Sequence, residues 1–214
     1  MGSRFYHFML DHILLPILKA RQAVSLTEAV LVGISGIDAS GKGFVTEKLT
    51  GLLLDKGVRT AVASVDGWLN LPRVRFDPID PAGNFYRNAL RLDEMFNEFV
   101  IPLKKNGSIS LTTDFTEETA TEYRNHVYNF RNIDVILLEG IFLFKRGFTE
   151  HFDLRVWIDC PFEIALERAV ARSQEGLSAA ETTRVYRTIY FPAQFIHFAI
   201  DDPIATADIV YPNY

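Results

Sequence analysis

A glycine-rich loop that carries one lysine is the strongest chemical signal in the sequence. It reads GIDASGKG and lies between a short apolar run and a stretch with helical periodicity. Glycines let successive backbone N–H groups converge on phosphate oxygens, the start of a helix adds a favourable dipole, and a lysine reaches the β- and γ-phosphates. An ordinary glycine-rich turn would explain the glycines but not the lysine. The pattern therefore predicts a nucleotide-binding loop, with ATP contacts at Gly36, Ile37, Asp38, Ala39, Ser40, Gly41, Lys42, Gly43 and Phe44.

The residue after the lysine departs from the usual pattern. That position normally holds Ser or Thr, whose hydroxyl ligates Mg²⁺, whereas here it is Gly43. Two interpretations remain open. Either the metal is held through water and by carboxylates elsewhere in the chain, or phosphoryl transfer is impaired.

Two carboxylates end predicted strands and are candidates for that role. Asp66 follows the run TAVASV, and Glu139 ends the run IDVILLE. Because ligands of an open parallel sheet bind at the carboxyl ends of its strands, both acids are expected to face the phosphate loop. Carboxylates there hold Mg²⁺ and orient or deprotonate an attacking hydroxyl. We predict that Asp66 and Glu139 are catalytic and metal-binding residues; the alternative is that they are helix caps or surface acids.

The elements that must position these residues alternate between strand and helix. Apolar β-branched runs predict strands, and the spacing of leucine and valine predicts helices between them. A long loop with three prolines is expected over residues 67–84. The alternation predicts an α/β domain in which a parallel sheet is covered on both faces by helices. The predicted strands span residues 29–35, 60–65, 109–115, 133–138, 153–158 and 207–210, and the main helices span 42–56, 88–103 and a stretch that starts near Pro161.

The N-terminal segment is rich in apolar residues but is interrupted by charged and polar ones. It is therefore predicted to be neither a signal peptide nor a membrane span. We expect one domain, composed of an N-terminal helix over residues 1–24 and a core over residues 25–214. Apolar residues at helical spacing predict that this helix packs on the core; they are Phe5, Phe8, Met9, His12, Ile13, Pro16 and Ile17.

Composition limits the class of protein. A chain of 214 residues with 48% apolar residues is large enough for one α/β domain with a substantial core. The formal net charge of -5 argues against nucleic acid as the main partner. One cysteine, Cys160, cannot form an internal disulfide and fits a reducing compartment, so we expect a cytoplasmic protein with no membrane partner.

The motifs as a set resemble the uridine kinase-like branch of P-loop kinases, which also includes phosphoribulokinase and pantothenate kinase relatives. The resemblance covers residues 30–212 and rests on GISGIDASGKG, SVDGW, FDP, DVILLEGIFLF, LRVWIDCPFEIALERAVAR and ADIVYP, in that order. It implies a P-loop NTPase-type fold with a small helical lid, ATP and Mg²⁺ as cofactors, and a small-molecule acceptor. The first acceptor to expect is a nucleoside such as uridine or cytidine. Homo-oligomers are common in that family.

The resemblance also implies roles for individual residues. The aspartate matching Asp66 is the base near the sugar hydroxyl, and the glutamate matching Glu139 belongs to the metal site. Arg168 and Arg172 match lid arginines that neutralise phosphate charge, and their spacing of four places them on one helix face. This chain departs from the family at Ala169, where a second arginine is common, and it lacks the later Arg-Gly-Arg.

The acceptor site is the least determined feature of the sequence. Residues 67–84 and 113–124 are expected to form its walls, but the family's base-reading histidine has no evident match. The acceptor could therefore instead be a sugar phosphate or another small alcohol, and loss of turnover would leave a nucleotide-binding module. The expected acceptor contacts are Asp66, Trp68, Phe76, Tyr86, Arg87 and Phe115.

Overall fold

A five-stranded, fully parallel sheet forms the centre of the molecule in a computed structural model that describes residues 2–173 and 176–214, with side chains from residue 10 onward. Its strand order is β2-β5-β1-β6-β7, and β3 and β4 form a separate antiparallel hairpin. The strands are β1 Val30–Gly36, β2 Thr60–Ser64, β3 Ile109–Phe115, β4 Arg124–Phe130, β5 Val135–Gly140, β6 Leu154–Asp159 and β7 Ile209–Pro212.

Helices cover both faces of the sheet, which confirms the predicted α/β class. Two segments of π-helix, Met95–Val100 and Tyr186–Tyr190, continue into the helices that follow them. The α-helices are α1 Gly2–Ala23, α2 Lys42–Asp55, α3 Pro72–Arg75, α4 Pro81–Asn88, α5 Leu92–Glu94, α6 Ile101–Asn106, α7 Phe162–Arg172, α8 Ala179–Val185, α9 Phe191–Asp201 and α10 Pro203–Thr206. No helix in the described residues has the length and apolar character that a membrane span requires.

Strand β1 lies at the middle of the core because it is apolar on both sides. All seven of its residues are buried. Val32 belongs to one apolar cluster and Leu31 to another, on opposite faces of the sheet. A strand buried on both faces is nearly all apolar, which explains the run AVLVGIS, and the hydroxyl of its one polar residue, Ser35, donates a hydrogen bond to the Gly140 carbonyl oxygen.

Helix α1 packs beside α2 on one face. Ile13 and Ile17 are fully buried in the cluster that also contains Val45 and Leu49. His12 lies on the exposed side. The side chains of Phe5, Phe8 and Met9, which the predicted apolar stripe includes, lie outside the described part of the structure.

The segment predicted as an irregular loop is largely helical, which corrects the prediction for residues 67–84. It contains α3 and the beginning of α4. Both helices begin at a proline, Pro72 and Pro81, where the missing N–H would have had no helical partner. Asp80 caps α4 by accepting a hydrogen bond from the Gly83 N–H. Prolines predict a loop here, whereas Pro72 and Pro81 mark the first turns of helices.

The hairpin of β3 and β4 stands apart from the main sheet, so the strand predicted over residues 109–115 is present but is not part of the parallel sheet. The indole of Trp68 stacks on Tyr128 with ring centroids 6.0 Å apart. Phe99 packs on the same tyrosine with centroids 4.5 Å apart. This aromatic stack joins the hairpin to the core and places Phe115, at the end of β3, beside Gly67.

Candidate nucleotide and acceptor site

The phosphate loop joins β1 to α2 in a conformation that depends on its glycines. Gly41 has a left-handed backbone with φ of 92°, and Ala39 has φ of 56°. A Cβ on Gly36 would lie 2.7 Å from the carbonyl oxygen of Ile158 and 2.7 Å from the hydroxyl of Ser40. A side chain at Gly36 would therefore displace the loop from β6.

Lys42 projects from the first turn of α2 back over this loop. Its side chain is buried, and its Nζ donates a hydrogen bond of 2.8 Å to the Ile37 carbonyl oxygen. The hydroxyl of Ser40 is buried in the same loop without a hydrogen-bond partner in the described structure. An ammonium group at a helix N-terminus and an unpaired hydroxyl fit bound phosphate oxygens.

Asn213 and Arg168 hold the loop from outside the cleft. The Asn213 Nδ2 donates to the Ser40 carbonyl oxygen at 2.7 Å, and the Arg168 Nη1 donates to the same oxygen at 3.2 Å. Arg168 also donates to the Asn213 carbonyl oxygen at 3.0 Å. These contacts place Arg168 on the loop backbone, whereas its expected role was to neutralise phosphate directly.

Arg172 lies on the cleft side of α7 and meets the loop through Asp38. Its Nη2 lies 3.9 Å from the Asp38 Oδ1. The hydroxyl of Tyr186 donates a short hydrogen bond to the other oxygen of that carboxylate. Arg172 of α7 and Tyr186, which follows α8, therefore connect this helical segment to the phosphate loop, and Arg172 lines the same cleft as Lys42.

Asp66 and Glu139 line the same cleft as Lys42. Strands β2 and β5 are neighbours, with Ser64 paired to Glu139, so Asp66 lies just beyond that pair. Desolvation by the cleft walls raises the pKa of Asp66, although water reaches its carboxylate, and the charge on Asp38 raises it further. Desolvation raises the pKa of Glu139, and repulsion from Asp66 adds a smaller increase. The positive charge of Lys42 opposes the increase in pKa at both carboxylates. Two carboxylates close together beside the phosphate loop could hold a divalent cation.

No group of three or more His, Cys, Asp or Glu side chains in the described chain has the geometry of a metal centre. The two carboxylates must therefore share any Mg²⁺ with other oxygen ligands. Such sharing is the usual arrangement when the cation arrives with a nucleotide and keeps several waters.

The cleft continues past the phosphate loop into an acceptor region. The whole cleft, including the part beside the phosphate loop, has a volume of about 540 Å³. Both segments predicted as walls contribute to it, residues 67–84 through Leu69 and Arg75, and residues 113–124 through Phe115 and the residues after it. The region has both polar and aromatic walls, formed by Leu69, Arg75, Phe85, Phe115, Thr116, Glu117, Glu118, Thr119, Tyr190 and Gln194.

Four expected acceptor contacts lie outside this cleft. Trp68 is fully buried in the aromatic stack. Arg87 is exposed and pairs with Asp80 at 2.7 Å. Phe76 packs on Phe85, with ring centroids 5.9 Å apart, and supports the wall from behind. The hydroxyl of Tyr86 donates a 2.5 Å hydrogen bond to Asp201 in the core. Of the expected contacts, Asp66 and Phe115 line the cleft.

Sequence reasoning missed residues that reach the cleft from distant helices. Arg75 extends from α3, Tyr190 precedes α9, and Gln194 lies on α9. Asn213, which holds the phosphate loop, follows directly after the ADIVYP motif. Only Asn213 had a usable signal, because it lies at the carboxyl end of a predicted strand.

Comparison with solved structures supports this description of the fold. No family model matches the sequence. A protein described as a possible uridine kinase from Bacillus stearothermophilus superposes with a TM-score of 0.76 at 20% identity, over 96% of this chain and 98% of the other. A protein from Silicibacter sp. TM1040, provisionally named as a kinase of a fructose transport system, gives 0.69 at 17% identity over 95% and 98%. Phosphoribulokinase from Rhodobacter spheroides gives 0.60 at 13% identity over 88% and 71%. The chain therefore has the fold of the P-loop kinases that include uridine kinase-like proteins and phosphoribulokinase.

Proposed function

We propose that this chain is an ATP- and Mg²⁺-dependent phosphotransferase that passes the γ-phosphate to a hydroxyl group of a small molecule. One observation carries the proposal. Lys42, Asp66 and Glu139 line one cleft, and that cleft extends beyond the phosphate loop to Arg75, Phe115 and Gln194. Nucleotide binding alone requires the loop and its lysine. It does not require a carboxylate facing the acceptor region.

The residues divide the work of transfer among them. Backbone N–H groups of the loop and the Lys42 ammonium hold the phosphates. Asp66 accepts the proton of the acceptor hydroxyl, for which it must approach within about 3 Å. A bond forms between that oxygen and the γ-phosphorus, the bond to the β–γ bridging oxygen breaks, and ADP leaves. Arg172 adds positive charge where negative charge spreads over the transferred group.

Asp66 and Glu139 would hold Mg²⁺, directly or through water. Bound there, Mg²⁺ would neutralise negative charge on the phosphates. Gly43 supplies no side-chain ligand, so the two carboxylates would have to share the metal with waters and phosphate oxygens.

The resemblance of the motifs favours a nucleoside such as uridine or cytidine as the acceptor. The likeness to the Bacillus stearothermophilus protein supports that acceptor. A sugar phosphate or another small alcohol is the alternative acceptor, and a weakened nucleotide-binding module is the alternative function. Assaying ADP formation with a panel of nucleosides, sugars and sugar phosphates separates the three, because a binding module releases no ADP with any acceptor.

A Gly43→Ser variant tests the metal arrangement. A Cβ added at Gly43 meets no atom within 4 Å, so the substitution fits the existing loop. The new hydroxyl should ligate Mg²⁺ and lower the Mg²⁺ concentration for half-maximal ATP binding several-fold, with unchanged thermal stability. Calorimetric titration of ATP at a series of Mg²⁺ concentrations measures this. An identical Mg²⁺ dependence in the two proteins would show that the metal lies away from this position.

The pH dependence of the rate tests the role of Asp66 as base. Only ionised Asp66 accepts a proton, and desolvation raises its pKa above the ordinary value of 3.8. The kcat/KM for the acceptor should therefore fall as pH decreases, through an apparent pKa above that value. This loss should appear before acid unfolding, which circular dichroism at each pH would verify. A rate that stays constant down to the ordinary pKa would contradict the assignment.

A further inference from the structure

Arg75 is a charged side chain buried at the wall of the acceptor region. It ends α3, is 1% exposed and lines the cleft that contains Asp66. The Asn84 side-chain amide donates hydrogen bonds of 2.8 Å to the backbone oxygens of Val74 and Arg75, which fixes the end of the helix. The guanidinium lies 5.1 Å from the centre of the Phe76 ring. The group is therefore held in place before any ligand binds.

The hydrogen-bonding capacity of this guanidinium is only partly used. One Nη donates a short hydrogen bond to the backbone oxygen of Glu118. The Nε is buried without a hydrogen-bond partner among the described residues. A buried charged group with an unpaired donor costs stability unless something else pairs with it.

Burial also weakens the charged form of Arg75. Desolvation lowers its pKa, and the negative charges of Glu118 and Asp66 only partly offset that effect. Arg75 donates its hydrogen bond to the backbone oxygen of Glu118, and the Glu118 carboxylate acts on Arg75 as an electrostatic neighbour. The guanidinium is thus held, desolvated, in a cleft where an anionic group would relieve its cost.

Gln194 provides a second unpaired group in the same region. It lies on α9, is 1% exposed and lines the cleft, and its Oε1 has no hydrogen-bond partner in the described structure. An amide oxygen accepts hydrogen bonds, so it is suited to a hydroxyl of the acceptor. Arg75 and Gln194 thus line one cavity from helices far apart in sequence, and each has one buried polar atom without a hydrogen-bond partner among the described residues.

We infer that Arg75 and Gln194 form an acceptor subsite that binds an alcohol carrying an oxyanion, either a phosphate monoester or a carboxylate. This inference rests on the proposed phosphotransferase function and identifies its substrate class. A planar guanidinium pairs with both oxyanions through parallel hydrogen bonds. A neutral nucleoside brings no oxyanion to the unpaired Nε of Arg75, so the subsite selects against it.

The test compares matched acceptors that differ by one oxyanion. The kcat/KM for ADP formation is measured with ribose against ribose 5-phosphate, with glycerol against glycerate, and with uridine. The wild-type protein should have a higher kcat/KM for at least one oxyanionic acceptor than for its neutral counterpart. The pair with the larger difference in kcat/KM shows whether the subsite binds a phosphate or a carboxylate. Arg75→Gln should lower the ratio of oxyanionic to neutral kcat/KM roughly 10²-fold, the usual cost of removing one side of a buried charge pair.

Controls separate loss of recognition from loss of structure. Arg73→Gln changes an exposed arginine on the same helix and should leave the ratio unchanged. Arg75→Lys keeps the charge but loses the planar fork, so its ratio should fall between those of the wild type and Arg75→Gln. If Arg75→Gln fails to fold, the Arg75→Lys ratio decides the question.

Three outcomes would overturn the inference. They are a wild-type preference for uridine over every oxyanionic acceptor, no turnover of any oxyanionic acceptor, and an unchanged ratio in both Arg75 variants. The proposed function survives the first and third outcomes if ADP formation still depends on Lys42. It fails separately if no acceptor supports Lys42-dependent ADP formation.

Discussion

Lys42→Ala should remove nearly all phosphoryl transfer and weaken ATP binding. The substitution deletes the one ammonium group that reaches the β- and γ-phosphates from the loop. Loss of one well-placed charge at a transferring phosphoryl group costs roughly 10³-fold or more in rate. Steady-state kinetics with saturating acceptor measures the rate, and calorimetry measures ATP affinity.

The matched control is Lys48→Ala, which removes an exposed lysine of the same helix. It should keep full activity and full ATP affinity. Thermal unfolding should show that both variants fold, because the hydrogen bond that Lys42 loses joins one side chain to the Ile37 backbone. A Lys42→Ala protein that binds and hydrolyses ATP like the wild type would contradict the assignment of the phosphate loop.

Asp66→Asn should reduce kcat by roughly 10²–10⁴-fold while leaving the affinity for ATP, measured without Mg²⁺, nearly unchanged. The amide preserves the shape of the side chain but cannot accept the proton of the acceptor hydroxyl. Asp55→Asn, an exposed aspartate at the end of α2, is the control and should be fully active. Full activity of Asp66→Asn with the true acceptor would exclude Asp66 as the base.

The Asp66→Asn variant should lose activity but gain stability at neutral pH. The folded protein binds the Asp66 proton more tightly than the unfolded chain does, because the pKa is raised on folding. Its stabilising contribution is therefore complete below the unfolded pKa and is lost as pH rises through the folded pKa. At neutral pH the neutral asparagine should raise the melting temperature of the ligand-free protein. Lower stability together with lower activity would instead indicate that Asp66 holds the fold.

The features of the site that lie within short stretches of sequence could be predicted. The loop follows from glycine spacing and one lysine, and Asp66 and Glu139 follow from the rule that strand ends meet at one edge of a parallel sheet. The apolar run over residues 29–35 likewise predicted a strand, which is β1 in the structure and is buried along its whole length.

Two segments of the acceptor wall could be predicted, but most of the individual residues that line it could not, because they come together only through tertiary packing. Arg75 and Gln194 lie on helices 119 positions apart, and neither belongs to a local motif. Trp68, predicted as an acceptor contact, lies buried outside the cleft, because a large aromatic residue after a strand fills the core as readily as a pocket. The hairpin of β3 and β4 was not separated from the main sheet, since strand patterns carry no information on which strands pair.

Transfer of label from γ-labelled ATP to an acceptor tests the central claim most directly. Wild-type protein is incubated with labelled ATP, Mg²⁺ and each acceptor of the nucleoside, sugar and sugar phosphate panel, and the products are separated by chromatography. We predict label on at least one acceptor, strong reduction of that label with Asp66→Asn, and its loss with Lys42→Ala. Label that remains on ATP, or that appears only as inorganic phosphate with every acceptor, would contradict the assignment of this chain as a phosphotransferase.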